Sequence, residues 1–466
     1  MRPRVKPALR RIVRDEHTLQ FGVHPLRAVM LSGLTRPVRA WIESLDGTRD
    51  LERVLREAAR AGLEEDRARS LLDQLTLQGA LHDASAGPGA LRDLPLAERD
   101  RLRPDLDALD LASTSPEGGI AVLERRRDKR VRAYGAGRVG AQVVALLAGA
   151  GVGNIRVFDP GVVRPGDITP GGLTWAELGL TREAGAVTVA RRLTSGGRTP
   201  PVPAPSSPGP ATPRPSRPFR AVPDADRPRR RSPNGGRPSQ PDHDAESERP
   251  IRSVGVAASS SGSRSDSPAS EGGRGVRRPP ARDAGPRPGR AGSPGEGEVA
   301  PSVNALAGGP YLGDTTDRPD LVVLAPVGPL DGVLVNELTA LRIPHLLVSA
   351  FEGHGIVGPL VLPGESACLH CLDLTRRDHD PAWPIVTARL GGYPPGEIAC
   401  DSTLAALVAA AATGHALAHL DGRESAVTNG TMDVTPDWRW KRRSWTIHPQ
   451  CRCMRNNPYS LRMVMA

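Results

Sequence analysis

The stretch Val131-Arg-Ala-Tyr-Gly135-Ala-Gly137-Arg-Val-Gly140 decides the fold, together with Asn154-Ile-Arg-Val-Phe-Asp159 downstream. The first stretch predicts a short buried strand, three glycines at G-x-G-x-x-G spacing and the start of an apolar helix. The second predicts another strand that ends on an acid, Asp159, at the distance from the glycines that a ribose-binding acid has. Such glycines permit a tight turn, a close approach of backbone N–H groups to a phosphate, and close packing of helix on strand, while the acid can accept from ribose hydroxyls. We predict a nucleotide-binding βαβ unit; the alternative is a glycine-rich turn that binds nothing.

Net charge and composition restrict the class of protein. The 466 residues carry a net charge of +10, and residues 201–300, with 17 arginines and 11 acids, supply +6 of it (17 − 11). The basic charge is therefore concentrated in one segment, which argues against a nucleic-acid-binding face. No signal peptide is predicted, because the basic N-terminus lacks an apolar region. No membrane span is predicted, because the most apolar run, residues 404–420, is short and fits a core helix. We expect a cytoplasmic protein that binds neither nucleic acid nor a membrane.

The N-terminal segment, residues 1–85, is predicted to form a small separate domain. Residues 18–23 and 27–34 have strand character, and residues 50–61 and 66–77 show helical spacing of apolar side chains. Strands and short helices on this scale resemble a winged-helix domain, and their order is similar to that of PqqD-like domains, which bind a leader peptide at a sheet edge. A structural or dimerisation module is the alternative. Residues 86–128 are interpreted as a linker with one marginal helix.

Residues 129–195 and 306–466 are predicted to be two halves of one α/β domain. Residues 320–326 predict a buried strand, residues 330–342 a helix with Val333, Leu334 and Leu338 inward, and residues 343–349 the next strand. Alternating strands and helices predict a Rossmann-like, doubly wound and mostly parallel sheet.

Residues 196–305 interrupt this domain. Residues 201–300 hold 20 of the 47 prolines and a single aromatic residue, Phe219. Such a segment cannot bury enough apolar surface to offset its chain entropy, and we predict a disordered insertion. It stands where the third strand of the sheet is expected, and no replacement strand is predicted. Two explanations stay open, a true insertion and a segment partly misread from GC-rich DNA.

Four cysteines have the spacing of a metal site. Cys368 and Cys371 form a C-x-x-C pair, and Cys451 and Cys453 form a C-x-C pair far downstream in the chain. In a cytoplasmic protein this arrangement favours a tetrahedral, four-thiolate structural zinc site, with free or oxidised thiols as the alternative. Cys400, the fifth cysteine, is interpreted as a small buried side chain, and a nucleophile with a depressed pKa is its alternative.

Three parts of the sequence resemble the ThiF/MoeB/HesA adenylyltransferase family, which is related to ubiquitin-activating enzymes. They are the glycine motif, the segment that follows it, and the Gly-Pro…Pro-Gly…C-x-x-C stretch of residues 358–371. The nearest resemblance is to cyclodehydratase-partner or leader-peptide-binding members, which accompany azole-forming (TOMM) peptide clusters. The resemblance implies a homodimer that binds ATP with Mg²⁺ and adenylates the carboxylate of a peptide or small protein. It assigns phosphate binding to Gly135, Gly137 and Gly140, and ribose binding to Asp159. The implied catalytic cations are Arg164 and Arg182, the latter standing where the family has a lysine; ordinary solvated surface is the alternative for both.

Two features of the family's catalytic site are missing from the sequence. No acid follows the strand at residues 321–324, where the family holds Mg²⁺, and the next acid is Asp331. Residues 168–172 replace the family's Arg-Gln pair. Two hypotheses therefore stand: an ATP-dependent adenylyltransferase, and a catalytically silent ThiF-like protein that presents a precursor leader peptide to a separate modifying enzyme. A dinucleotide-dependent oxidoreductase fits the sequence less well.

Overall fold

The computed structural model describes residues 1–87, 89–113, 118–194, 302–389 and 399–454. Its N-terminal part contains β1 (Pro3–Val5), β2 (Arg11–Asp15), β3 (Thr18–Phe21), β4 (Val29–Leu31), α1 (Arg36–Glu43), α2 (Leu51–Arg60), α3 (Glu65–Leu77) and β5 (Leu81–Asp83). Strands β2, β3 and β4 form an antiparallel sheet, and β1 pairs with β5. The predicted strands and helices are confirmed here, since the apolar faces of both predicted helices pack into one core with Leu19 and Phe21. The winged-helix interpretation stays a prediction.

Two packed helices occupy the segment for which the sequence predicts a linker with one marginal helix. They are α4 (Leu96–Ala112) and α5 (Gly118–Asp128). Nε and Nη2 of Arg126 in α5 each donate a hydrogen bond of 2.7 Å to the carboxylate of Asp421, and both side chains are buried. The buried positions of α5 include two glycines and this arginine, so apolar periodicity could not reveal the packing.

The remaining elements build one eight-stranded sheet with helices on its faces. They are β6 (Arg130–Tyr134), α6 (Gly140–Gly149), β7 (Asn154–Phe158), α7 (Arg182–Arg192), β8 (Asn304–Ala307), β9 (Leu321–Leu324), α8 (Gly332–Ala340), β10 (His345–Phe351), β11 (His354–Val361), α9 (Leu369–His379), α10 (Trp383–Arg389), α11 (Ser402–Leu420), β12 (Gly430–Val434) and β13 (Trp440–Ser444). The strand order is β13-β12-β11-β10-β9-β6-β7-β8. Strands β8, β7, β6, β9 and β10 are parallel, and the last three are antiparallel. The predicted Rossmann-like, mostly parallel sheet is confirmed, and its order reverses between β6 and β9.

Strand β8 corrects the prediction that no third strand replaces the one expected. Asn304 to Ala307 pair in parallel with residues 154–157 of β7. The strand is short, and only Ala305 in it is fully buried, so its apolar pattern is too short to recognise. The rest of the predicted insertion, residues 196–301, lies outside the described residues.

Helix α8 differs from its prediction in one detail, because Val333 is 76% exposed whereas Leu338 is fully buried. Leu334 and Leu338 are four positions apart and share a face, and Val333 lies about 100° away from Leu334 on the helix.

Helix α11 is a core helix of the sheet domain. It packs against α6, β10 and β11, and Asp401 caps its first turn by accepting hydrogen bonds from two backbone N–H groups. Among the described residues, it is the one helix with the length and composition to cross a membrane, and half of its apolar window is buried inside the protein. Burial against the sheet accounts for its apolar composition.

Candidate nucleotide site and metal centre

The glycine loop follows β6 at the point where the strand order of the sheet reverses. Gly135 has φ +94°, and a Cβ added there would lie 2.0 Å from the carbonyl oxygen of Ala325, the residue after β9. A Cβ on Gly140 would lie 2.0 Å from the carbonyl oxygen of Gly135. Backbone atoms fill both positions, so only glycine permits this turn and the start of α6 so close to it.

Asp159 ends β7 beside this loop and is already engaged by protein groups. Its Oδ2 accepts from the backbone N–H of Ala136 (2.8 Å) and from Nε of Arg182 (2.9 Å), and its Oδ1 accepts from the N–H of Gly161 (3.1 Å). The residue is 6% exposed. The carboxylate therefore joins the glycine loop to α7, and a ribose hydroxyl would have to share its oxygens with these donors.

Arg182 lies between two carboxylates instead of being free. Besides Asp159, its Nη1 is 3.6 Å from Oδ2 of Asp167. Burial by itself lowers the pKa of Arg182, but the hydrogen bonds and charges of Asp159 and Asp167 together outweigh burial and raise the pKa. Arg164 is exposed, and its backbone N–H donates to Oδ2 of Asp167 (2.9 Å). The structure thus brings Arg182 to the glycine loop through Asp159 and leaves the Arg164 side chain at the surface.

Two side chains that sequence reasoning missed flank Gly137. A Cβ added to Gly137 would lie 2.6 Å from Cγ2 of Val327 and 3.8 Å from Oδ1 of Asp167. An apolar group and a carboxylate thus lie where a phosphate has to approach the loop. Asp331 caps α8 by accepting from the N–H of Val333 (2.8 Å), so it already has a structural role.

Arg138, inside the glycine motif itself, was also missed. Its guanidinium donates to the carbonyl of Gly166 (2.6 Å) and to Oγ of Ser402 at the start of α11 (3.0 Å). It therefore joins the glycine loop to the loop after β7 and to α11. The motif pattern leaves this position variable, so the pattern carried no signal for it.

The backbone around the glycine loop fits a nucleotide phosphate, whereas the neighbouring acids do not offer a Mg²⁺ site. The N-terminus of α6 follows the loop and presents backbone N–H groups, as phosphate sites do. Asp159 and Asp167, the carboxylates described above, both contact Arg182. A divalent cation would have to compete with that guanidinium for the carboxylate oxygens, which are the ligands that Mg²⁺ prefers.

The four predicted thiols come together at the N-terminus of α9. The Sγ–Sγ distances are 3.7 Å for Cys368 and Cys371, 3.6 Å for Cys368 and Cys451, and 3.6 Å for Cys371 and Cys453, and all four sulfurs lie within 4.8 Å of one another. A tetrahedron with Zn–S bonds of about 2.3 Å has S–S edges of about 3.8 Å. The set therefore fits a closed zinc site that would fasten the chain after β13 to α9.

The thiols of this cluster ionise unequally in the absence of metal. The hydrogen bond from Cys368 lowers the pKa of Cys371 to about 4, and burial raises the pKa of Cys453 to about 12. Neighbouring His448 is buried, and its Nε2 lies 2.7 Å from Oδ2 of Asp378. Thiolate is the form that binds metal, so zinc binding would release protons from such thiols.

Cys400 does not have the depressed pKa of a nucleophile. It is 8% exposed, and burial raises the pKa of its thiol despite the nearby charge of Arg138. The thiol packs in the apolar core with α11. The interpretation as a small buried side chain is the one that these contacts favour.

Comparison with solved structures identifies proteins of the same fold. Escherichia coli MccB with MccA-N7isoAsn superposes with a TM-score of 0.58 at 10% identity, covering 98% of this chain and 100% of that chain. MccB with ATP gives 0.55 at 11% identity (97% and 100%), and PaaA gives 0.54 at 12% identity (95% and 100%). No protein-family model and no curated protein sequence matches the chain. The chain thus shares the fold of MccB and PaaA.

Proposed function

We propose that this chain is a ThiF-type adenylyltransferase that binds ATP at the glycine loop and activates the carboxylate of a peptide or small protein. The observation that carries the proposal is the glycine loop after β6, with Asp159 beside it at the end of β7, at the switch point of a sheet ordered 3-2-1-4-5. MccB, which shares the fold, has been solved with ATP and with forms of MccA.

The chain's own residues would divide the work of such a site. Backbone N–H groups of the loop and of the start of α6 would bind phosphate oxygens, and Gly137 would provide the close approach. Arg182, released from Asp159, would neutralise phosphate charge, and Asp159 would accept from the ribose. Arg164, whose side chain is exposed, would be a second cation, and ATP itself supplies the adenylyl group.

Peptide binding would use the N-terminal domain of residues 1–85. Strand β2 is mostly exposed, and within the described part of the chain it pairs with β3 alone, so its other edge would be the place for a further strand. We propose a cytoplasmic homodimer with a zinc ion on the four cysteines as a structural element, and with the sequence-based domain boundaries changed only where α4, α5 and β8 require it.

Specific contacts favour a second candidate, a catalytically silent protein that presents a leader peptide to a separate azole-forming enzyme. Asp159 and Arg182 satisfy each other, Val327 lies against Gly137, and residues 325–329 carry no acid for Mg²⁺. An active site with these contacts needs a rearrangement that a presenting protein does not need.

ATP binding separates the two candidates most directly. Calorimetry with zinc-replete full chain is expected to detect ATP binding, and Arg182→Gln is expected to weaken it by about tenfold or more, because a charge-assisted contact is lost. The matched control, Arg60→Gln, removes an exposed arginine of α2 and should leave binding unchanged.

ATP–pyrophosphate exchange then tests the chemical step with and without candidate peptides. Exchange that disappears in Asp159→Ala would support adenylation. A folded protein that binds peptide but not ATP would contradict the first proposal and favour the presenting role.

A further inference from the structure

A small cavity lies on the face of the sheet that is opposite α6 and α7. Val131 and Ala133 of β6 point into the core beneath those helices, and the alternating residues Arg130 and Arg132 point to the other face. Arg132 pairs in register with Arg156 of β7. The cavity is lined by arginines of β6 and β7, by the polar residues Asn154, Asn304 and Asp317, and by the apolar residues Val131, Ile155, Leu306 and Pro319. None of them belongs to the glycine loop, residues 135–140, so the cavity is a separate site.

Arg132 is buried at this cavity, and the N–H at its Nε lacks a hydrogen-bond partner among the described residues. It is 1% exposed; Nη1 donates to the carbonyl of Pro310 (3.1 Å), and Nη2 donates to the carbonyl (3.1 Å) and Oδ2 (3.3 Å) of Asp317. Its Nε is buried and has no partner among the described residues. Leaving such a donor unpaired is costly, which indicates that another group completes the site.

The charges around the cavity do not balance. Oδ2 of Asp317 also accepts from Nε of Arg156 at 2.7 Å, so two guanidinium groups share one carboxylate. With Arg130, the lining holds three positive charges and one negative charge, and the carboxylate of Asp314, which acts on Arg132 from outside the lining, reduces the excess to one positive charge (3 − 1 − 1 = +1). Water is largely excluded from Arg132, whose guanidinium carbon lies 5.7 Å from the ring centre of Phe158. An unpaired positive charge in such surroundings favours an anion.

We propose that this cavity binds a single-atom inorganic anion of the size of chloride, held by Nε of Arg132 and the guanidinium of Arg156. The cavity volume of about 30 Å³ is room for about two water molecules. A halide fits this space and its single charge matches the excess positive charge, whereas sulfate would bring two negative charges beside Asp317. The site does not depend on nucleotide or peptide binding, so its test is independent of the tests of the proposed function.

Chloride-35 NMR line broadening with the full chain tests this site at constant ionic strength, with gluconate as the balancing anion. We expect broadening that bromide reverses and that sulfate does not. Arg156→Gln should weaken chloride binding by about tenfold or more, since a charged donor is lost. Asp317→Asn should strengthen binding, because it removes the competing carboxylate while keeping a hydrogen-bond acceptor.

Arg60→Gln is the matched control, because it removes one exposed positive charge far from the cavity lining and should leave the broadening unchanged. Equal broadening in Arg156→Gln and Arg60→Gln, or none in the unaltered chain, would overturn the proposal. Sulfate that competes as well as bromide would overturn the single-atom ligand. Should Arg156→Gln fail to fold, Asp317→Asn decides, and unchanged or weaker binding in that variant refutes the site.

Discussion

Replacing Cys453 by serine is expected to release the metal and to loosen the C-terminal part of the sheet domain. Cys368 and Cys371 are at the start of α9, which is part of a buried apolar cluster. By contrast, every residue of the edge strand β13, which precedes Cys451 and Cys453, is exposed. Pairing with β12 and the packing of Trp445 and Ile447 hold this end to the sheet, and a metal on the thiol cluster would add a direct link to α9.

The expected loss of stability follows from the length of the chain loop that the metal would close. Zinc would bridge Cys371 and Cys451 and so close the whole loop of chain between these two cysteines. For a loop of roughly 80 residues, the chain-entropy relation for a cross-link gives about 4.5 kcal/mol at 25 °C. Because a domain is stable by roughly 5–15 kcal/mol, this loss is a large fraction of the whole.

Zinc content by elemental analysis and urea unfolding measure the two effects together. We expect one zinc ion per chain in the unaltered protein, a loss of metal in Cys453→Ser, and a decrease in the free energy of unfolding of about 4–5 kcal/mol. Cys400→Ser is the matched control, since Cys400 is outside the cluster. Our reasoning is refuted if Cys453→Ser keeps the metal, or if a strong chelator leaves the unfolding curve of the unaltered protein unchanged.

Three further predictions concern the glycine loop, a buried histidine and a buried ion pair. Gly135→Ala should destabilise the fold by about 3 kcal/mol or more in urea unfolding, because φ is +94° and the added Cβ meets a backbone oxygen. The control Gly149→Ala places its Cβ in open space in α6 and should stabilise the fold by about 0.5–1 kcal/mol. Burial lowers the pKa of His345 from 6.5 to about 4, so between these pH values the unfolded chain binds a proton that the folded chain does not. The free energy of unfolding should therefore fall by about 3 kcal/mol as the pH drops through this range, and His345→Leu, measured by urea unfolding at both ends, should remove this decrease. Asp421→Asn, which leaves Arg126 buried without its charge partner, should cost about 3 kcal/mol by thermal or urea unfolding, and an unaltered midpoint would contradict the buried pair.

The elements with strong periodicity could be predicted from the sequence, and those held by polar contacts could not. Nearly continuous apolar runs predicted β9 and β10, because a parallel strand that is buried on both faces needs apolar residues on both. Strands β6 and β7 were predicted from their positions before the glycines and before Asp159. Helix α5 escaped prediction because an ion pair between Arg126 and Asp421 replaces part of its apolar face. Residues of opposite charge that are 295 positions apart leave no periodic signal along the chain.

The contacts within the candidate site could not be predicted from the sequence either. The spacing of the glycines and Asp159 predicts a carboxylate beside the loop, yet it does not tell which donors the carboxylate accepts from. In the folded chain Asp159 accepts from Arg182, which lies further along the chain at the start of α7, and this contact is 2.9 Å long. Nucleotide binding would exchange this pair for contacts of Arg182 with phosphate and of Asp159 with ribose. Hydrogen bonds to charged groups contribute about 1.5–3 kcal/mol each, so the exchange is a small difference between similar terms. At the proposed ATP site, affinity would therefore depend on the local position of Val327 and Asp167 beside Gly137 as well as on the motif.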